Sequence, residues 1–307
     1  MKVFQGTGPP KSCPRCVLIG FFDGVHLGHQ MLIGSLRSLA KINHLRTLAF
    51  AFDTHPNKVL RPDQMPELLT TLDERLELLD KSGLDECWLL PFTDELARIS
   101  PREFCKKVLV ENMDCQHLVA GEGFALGHAR SGNIAILRKL GEELGFGVTE
   151  IPLANRNGNV VSSSRIRQLL KEGAVEKAQD LLTRPYSLGG RVISGNGLGR
   201  QIGFPTLNLA SDKGKLIPRH GVYSGRAFWP GANNPMIANI GIRPTIDDKK
   251  ELSIEAHLLD FNGSIETKRF EIHLMHFLRP EQKFGSLELL TQQICRDVEM
   301  AHNSLNF

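Results

Sequence analysis

VLIGFFDGVHLGHQ, residues Val17 to Gln30, reads as a buried strand that runs through a tight turn into the start of a helix. Val17 to Ile19 is a short apolar run of the kind that fills the middle of a parallel sheet. Gly20 and Gly24 free the backbone to turn before the helix begins. His26 and His29 lie at that turn, with Gly28 between them. A helix N-terminus presents unpaired N–H groups and the positive end of a dipole, so two imidazoles placed there form a pocket suited to a polyphosphate. The same four residues also occur as solvent-facing histidines at a helix start. The strand before them and the helix after them favour the nucleotide site.

Strand and helix alternate outward from this stretch. Leu32, Ile33, Leu36, Leu39 and Ala40 mark one helical face, and Leu45 to Phe52 reads as a strand ending at the Asp53-Thr54-His55-Pro56 turn. Leu72, Leu76 and Leu79 mark a second helix, Glu86 to Leu90 a strand, and Pro101 a helix start. His117 to Ala120 and Val148 to Leu153 read as further strands around a helix carrying Ile134, Leu137, Leu140 and Leu144. Ser162 or Ser163 is placed to cap a helix with Ile166, Leu169 and Leu170 on its buried side. This alternation predicts an α/β doubly wound parallel sheet, in which ligands bind beyond the carboxyl ends of the strands. Three loops are expected to meet there: Gly20 to His29, Gly121 to Gly132, and Val161 to Arg167. Gly121, Gly123 and Gly127 resemble a dinucleotide loop, but no acidic residue closes the following strand, so a nicotinamide cofactor is not expected.

The chain has 307 residues, enough for two domains with cores of their own, and a 41% hydrophobic content typical of soluble globular proteins. A net charge of +3 is too mild to announce a nucleic-acid or membrane surface. No basic stretch with an apolar core opens the sequence, and no apolar run approaches the roughly 18 residues of a membrane helix, so a cytoplasmic protein is expected. Six scattered cysteines predict reduced thiols. Cys13 and Cys16 form a Cys-x-x-Cys, but no second ligand pair stands at zinc-site spacing.

The pattern changes near Thr183-Arg184-Pro185, which places the domain boundary between residues 183 and 184. Beyond it, Arg191 to Ser194, Val222 to Trp229, Met236 to Ile240, Leu252 to Phe261 and Lys268 to Phe277 read as strands with Gly-Asn, Asn-Asn and Asn-Gly turns between several of them. They predict a small antiparallel β-barrel covered by a C-terminal helix with Leu287, Leu290, Ile294, Val298 and Ala301 on one face. Within this half, GNGLGRQIGFPTLN gathers Gly195, Gly197, Gly199 and Gly203 ahead of Thr206 and Asn208. Glycines let backbone N–H groups approach a phosphate, and two oxygen ligands two residues apart on an extended segment point to the same side, which suits magnesium. A glycine-rich barrel corner is the alternative reading of the same stretch.

GFFDGVHLGHQ, VSSSRIR, GRQIGFPTLN, HGVYSG, NIGIRPT, SIEAHLLDF and FLRPEQKFGS occur here in the order that resembles the bacterial bifunctional riboflavin kinase/FAD synthetase family. The resemblance spans nearly the whole chain. It implies an FMN adenylyltransferase domain over residues 1–183, of nucleotidyltransferase fold, and a riboflavin kinase domain over 184–307. Both would use ATP with Mg2+, converting riboflavin to FMN and FMN to FAD. The implied partners are these small molecules, with no nucleic acid and no membrane; the oligomeric state is left open. Residue by residue, the resemblance implies that His26, Gly28 and His29, with Phe22, Asp23 and Gly24 of the same turn, hold ATP. Ser163, Ser164 and Arg167 would form a second phosphate-contacting segment. Thr206 and Asn208 would be magnesium and phosphate ligands, Glu255 the general base, and Arg279 a flavin contact. Glu255 lies between Ile254 and Ala256, as a polar residue on an alternating strand also would.

Three departures from the family pattern stand in the sequence. Gly123 and Ala125 stand where an acidic or amide side chain and an arginine are usual, which bears on the adenylyl half. Ser264-Ile265-Glu266-Thr267 replaces a Tyr-Gly after the Glu255 strand, and Ser164 replaces a threonine while keeping the hydroxyl. Two alternatives follow: a riboflavin kinase whose first domain is weakened or inactive, and a non-enzymatic flavin- or nucleotide-binding regulator. Retention of Thr206, Asn208 and Glu255 argues against a pure binder.

Overall fold

The structure, a computed structural model, describes residues 1–307 except 7, 12, 196, 245–249, 262, 264, 266 and 306–307. Asn196 of the glycine-rich stretch, Thr245 of NIGIRPT, Asn262 of an expected turn, and Ser264 and Glu266 of the Tyr-Gly departure lie outside the described residues. The chain forms two compact units, Met1–Ser163 and Ser164–Phe307.

The first unit is built on six parallel strands, β1 (Lys2–Gln5), β2 (Arg15–Gly20), β3 (Arg46–Phe52), β4 (Glu86–Leu90), β5 (Cys115–Gly121) and β6 (Gly147–Ile151). Their order across the sheet is β1-β4-β3-β2-β5-β6. The chain steps outward from β2 through β3 to β4, then returns to the other side of β2 with β5. The order therefore reverses between β2 and β5, the place where such sheets bind ligands.

Alternating side chains of the central strands feed two cores. Val17, Ile19, Leu48 and Phe50 pack on one face with helix residues Ile134, Leu137 and Leu140, whereas Cys16, Leu18, Ala49 and Ala51 pack on the other with Ile33, Leu36 and Ala40. These helices are α1 (Leu27–Ile42), on one face, and a later one, Ile134–Leu144, on the other; between them in sequence lies α2 (Leu72–Lys81). We number Ile134–Leu144 as α3. Thr71 and Glu74 close a reciprocal capping box at the start of α2. Pro101 does open a helix, with Ser100 capping Glu103 N–H.

The second unit contains a closed six-stranded barrel of β7 (Tyr186–Ile193), β8 (Thr206–Ser211), β9 (Gly221–Trp229), β10 (Ala232–Pro244), β11 (Lys250–Leu258) and β12 (Arg269–Arg279). Every pairing is antiparallel, in the order β7-β8-β11-β10-β9-β12 with β12 closing onto β7. The C-terminal helix, Leu287–Leu305, packs Ile294, Val298 and Ala301 against Ile237, Leu259 and Leu278.

Of helices α4 (Ser163–Glu172) and α5 (Val175–Leu182), which precede the boundary read at 183/184, all but the first residue belong to the second compact unit. The Arg219 N–H donates to the Leu170 carbonyl at 2.9 Å, and the Phe277 N–H donates to the Glu176 carboxylate at 3.3 Å. α4 is thus tied to the second unit through a carbonyl of its last turn, and α5 to β12 through the Glu176 side chain. With these numbered, Leu287–Leu305 is α6.

Candidate active sites

In the first unit the chain leaves β2 through a left-handed Phe22 (φ 58°) and Gly24 (φ 81°), then enters α1 with His26 as the residue before its first turn. The left-handed step at residue 24 is one that glycine makes without a Cβ penalty. The His26 and His29 rings stack, centroids 3.8 Å apart and 18° from parallel. A Cβ at position 28 would lie 3.2 Å from the His26 ring, so Gly28 gives the stack its room. Phe22 is 1% exposed and meets His29 edge-on at 5.4 Å. Burial, then the neighbouring His26, push the His29 imidazole well below its ordinary pKa. Its Nδ1 is buried with no hydrogen-bond partner among the described residues.

Phe22 and Asp23, which the resemblance sets among the residues that hold ATP, have structural partners of their own. Phe22 belongs to the core beneath the turn. The Asp23 carboxylate accepts from the Leu69 and Thr70 N–H groups at 3.0 and 3.1 Å and from the Thr70 hydroxyl at 3.1 Å. Thr70 Oγ1 in turn accepts from Gly24 N–H at 3.0 Å, and Ser163 Oγ donates to the Asp23 carbonyl at 3.0 Å. Asp23 therefore holds the turn, and Ser163 is brought to it. Ser164 and Arg167 belong to the second unit.

Two residues of this region were missed in the sequence. Arg75 on α2 is 3% exposed and donates from Nη1 to the Phe21 carbonyl at 2.9 Å and from Nη2 to the Phe52 and Asp53 carbonyls at 2.7 and 3.2 Å. Its guanidinium also stacks on Phe21 at 4.1 Å, and burial brings its pKa down to about 10. Asp53, read only as part of a turn, has a buried Oδ1 without a partner. An apolar cavity of about 270 Å³ opens near the same strand ends, lined by Phe52, Phe92, Phe104, Phe124, Ala125 and Arg130 among others. Arg130 Nη2 donates to the Gly123 carbonyl at 2.8 Å, which folds the Gly121 to Gly132 loop over this wall.

In the second unit a cavity of about 310 Å³ is lined by Gly197, Gly199, Thr206, Asn208, Glu255 and Arg279 among others. The barrel register explains the grouping. Asn208 pairs with Glu255 across β8 and β11, Thr206 pairs with His257, and Glu255 pairs with Asn239 on its other side. Residues two apart on one strand face the same way, so Thr206 and Asn208 both reach the cavity. Thr206 Oγ1 donates to Glu255 Oε2 at 3.4 Å and Ser253 Oγ donates to Oε1 at 3.1 Å. Ile254 and Ala256 are buried on the opposite face of β11.

Gly195 passes so close to Asn208 that a Cβ would lie 2.2 Å from its Nδ2. Any side chain there would displace the amide. Gly203 does not line the cavity but has φ +89° at the turn before Phe204. Arg279 makes a two-pronged ion pair with Asp297 of α6, Nε and Nη2 each 2.8 Å from a carboxylate oxygen, and Asp297 is 1% exposed. Leu290, read in the sequence only as part of the helix face that covers the barrel, joins α6 to the cavity wall together with Asp297, which was not singled out.

All six cysteines are free, and burial pushes the Cys16 thiol up to about 12. No helix among the described residues is long and apolar enough to cross a membrane.

A six-stranded parallel sheet with a histidine turn at its switch point, followed by a barrel holding threonine, asparagine and glutamate in one cavity, defines a two-domain nucleotide-dependent transferase. The family model for FAD synthetase matches residues 9–165, and that for riboflavin kinase matches residues 182–305. The bifunctional riboflavin kinase/FMN adenylyltransferase of Buchnera aphidicola is 34% identical over 312 residues, 100% of this chain and 99% of its own. That of Listeria monocytogenes is 36% identical over 92% of this chain and 90% of its own. A solved Streptococcus pneumoniae structure, named a macrolide-efflux protein, shares 27% identity and a TM-score of 0.90 over 99% of both chains. The chain belongs to the bifunctional riboflavin kinase/FMN adenylyltransferase family.

Proposed function

We propose that this chain phosphorylates riboflavin to FMN in its barrel and adenylylates FMN to FAD, with release of pyrophosphate, in the domain built on the parallel sheet. The observation that carries the reading is the barrel constellation: a carboxylate, a hydroxyl and an amide converge in one cavity beside a glycine-rich segment. Glu255 is the group to accept the proton of the ribityl hydroxyl as that oxygen bonds to the γ-phosphorus and ADP leaves. Thr206 Oγ1 and the Asn208 amide oxygen are hard oxygen donors on the same side of the cavity, the donor set magnesium takes alongside phosphates. When bound, Mg2+ would neutralise charge developing between the β- and γ-phosphates. Gly197 and Gly199 leave room for backbone approach to phosphate, and the Arg279–Asp297 pair fixes the α6 wall. In the first domain, His26 and His29 hold the triphosphate. The phenylalanine-lined cavity accepts the flavin ring. We read the protein as cytoplasmic, with small-molecule substrates.

Labelling separates the two steps. ATP labelled on the γ-phosphorus should mark FMN made from riboflavin, and ATP labelled on the α-phosphorus should mark FAD made from FMN. Absence of both labels from flavin, with flavin still bound, would instead establish the regulator reading. Thr206→Ala or Asn208→Ala should raise the magnesium concentration required for half-maximal FMN formation, because each deletes an oxygen beside the metal. Titration curves that superimpose on the parent's would remove both from the metal site.

A weaker adenylyl step is favoured by one observation. Ala125 is part of the flavin-cavity wall, where the resemblance places an arginine. Loss of one hydrogen bond to a charged group costs on the order of 1.5 to 3 kcal/mol, roughly one to two decades in rate if felt in the transition state. FMN should therefore accumulate ahead of FAD. FAD formation from FMN as fast as riboflavin phosphorylation would reject this ordering.

A further inference from the structure

We infer that Asp53 is a metal ligand of the adenylyl-transfer site, offering its orphaned carboxylate oxygen to the divalent cation that accompanies ATP. The inference rests on the adenylyltransferase reading above. Three buried side-chain atoms left without a partner belong to residues of the first unit grouped at the ends of β2 and β3: His29 Nδ1, Asp53 Oδ1 and Arg75 Nε. Burying a polar atom unpaired is costly, so such atoms gather where a ligand completes them. The strands place them together. β2 and β3 run in parallel register with Gly20 beside Ala51, so the histidine turn and Asp53 leave the sheet side by side. Arg75 locks that geometry, since one guanidinium bonds the carbonyls of Phe21, Phe52 and Asp53. Its Nη donors thus go to these main-chain carbonyls, and Asp53 Oδ1 keeps no donor among the described residues.

The chemistry narrows what Oδ1 can meet. In adenylyl transfer a phosphate oxygen of FMN bonds to the α-phosphorus of ATP, and the bond from that phosphorus to the bridging oxygen breaks as pyrophosphate leaves. The attacking oxygen is already ionised near neutral pH, because the second pKa of a phosphate monoester is about 6, so there is no proton for Asp53 to take. A bare carboxylate beside two anionic substrates repels both. A divalent cation reverses the sign of that interaction, and magnesium is commonly held by one or two carboxylates together with substrate phosphates.

The test compares Asp53→Asn and Asp53→Glu with the parent, each as the full chain. Asn keeps the shape and removes the charge, so FAD formation from FMN should fall about 10²-fold and require more magnesium, while riboflavin phosphorylation by the same sample stays unchanged. Mn2+ titrated into the chain with α,β-methylene ATP and followed by electron paramagnetic resonance should show one tight site lost in Asp53→Asn and retained in Asp53→Glu. Near-ultraviolet circular dichroism checks the fold, and if Asp53→Asn does not fold, the Mn2+ affinity of Asp53→Glu decides. Parental Mn2+ binding with an unchanged magnesium requirement in Asp53→Asn, or loss of the tight site in a folded Asp53→Glu, would overturn the inference and leave Asp53 as a countercharge to Arg75. A parent that makes no FAD would instead overturn the adenylyltransferase reading itself.

Discussion

Glu255→Ala should lower FMN formation by about two to four orders of magnitude, the usual consequence of removing a general base. ATP binding should stay largely intact. Glu255 sits in the centre of the cavity-facing row, paired across the barrel with Asn208 on one side and Asn239 on the other. The Ser253 and Thr206 hydroxyls fix its two carboxylate oxygens separately, at 3.1 and 3.4 Å, so the carboxylate is aimed before substrate arrives. A carboxylate that only decorated a strand would alter stability and not turnover. Steady-state kinetics of the folded variant decide between these: near-parental kcat removes Glu255 from the mechanism.

The second large effect is expected at His29. His29→Asn should cut FAD formation by about 10²- to 10³-fold, the range seen when a positioned donor to developing negative charge is removed. FMN formation in the barrel should be untouched, which makes the second unit a control within the same molecule. Measuring both products in one reaction checks this, and equal losses of both would point to general misfolding. A pH signature accompanies it. The folded state holds His29 well below 6.5, so as pH falls through that value the unfolded chain takes up the proton first and the stability of the first unit declines. His29→Asn should flatten that slope in thermal melts between pH 5 and pH 7, a window set by the ordinary histidine pKa of about 6.5.

Much of the fold was legible because the central strands are short apolar runs between turn residues. Val17–Ile19 lies within β2 and Glu86–Leu90 is β4 itself. β1 gave no signal: Lys2–Gln5 is an edge strand with mostly exposed side chains, and its pairing with β4 rests on backbone groups that composition does not reveal. The barrel's first strand begins at Tyr186 and not Arg191, although Gly189 and Gly190 weaken a strand interior. Gly190 is instead required by the close approach of the Ala210 carbonyl, 2.1 Å from where a Cβ would stand. β8 was visible only as an extended segment, although its Thr206–Asn208 spacing already implied the shared face that the register places beside Glu255.

The parts of the sites that escaped the sequence are those made by long-range hydrogen bonds. Asp23 was legible as a member of the histidine turn, but only the fold brings Leu69 and Thr70 to its carboxylate. Arg75 lies on a helix whose sequence shows only its apolar face, yet its side chain turns inward to three carbonyls at the carboxyl ends of β2 and β3. Asp297 likewise sits on the polar side of a repeating helix until Arg279 claims it.

The central claim, that one chain carries riboflavin through FMN to FAD, is tested most directly by following the flavins in a single reaction of purified protein, riboflavin, ATP and magnesium. Chromatography should show riboflavin falling, FMN rising and then FAD appearing at the expense of FMN, with ADP and pyrophosphate formed in the matching steps. Riboflavin that stays unconverted at enzyme concentrations comparable to substrate would contradict the account.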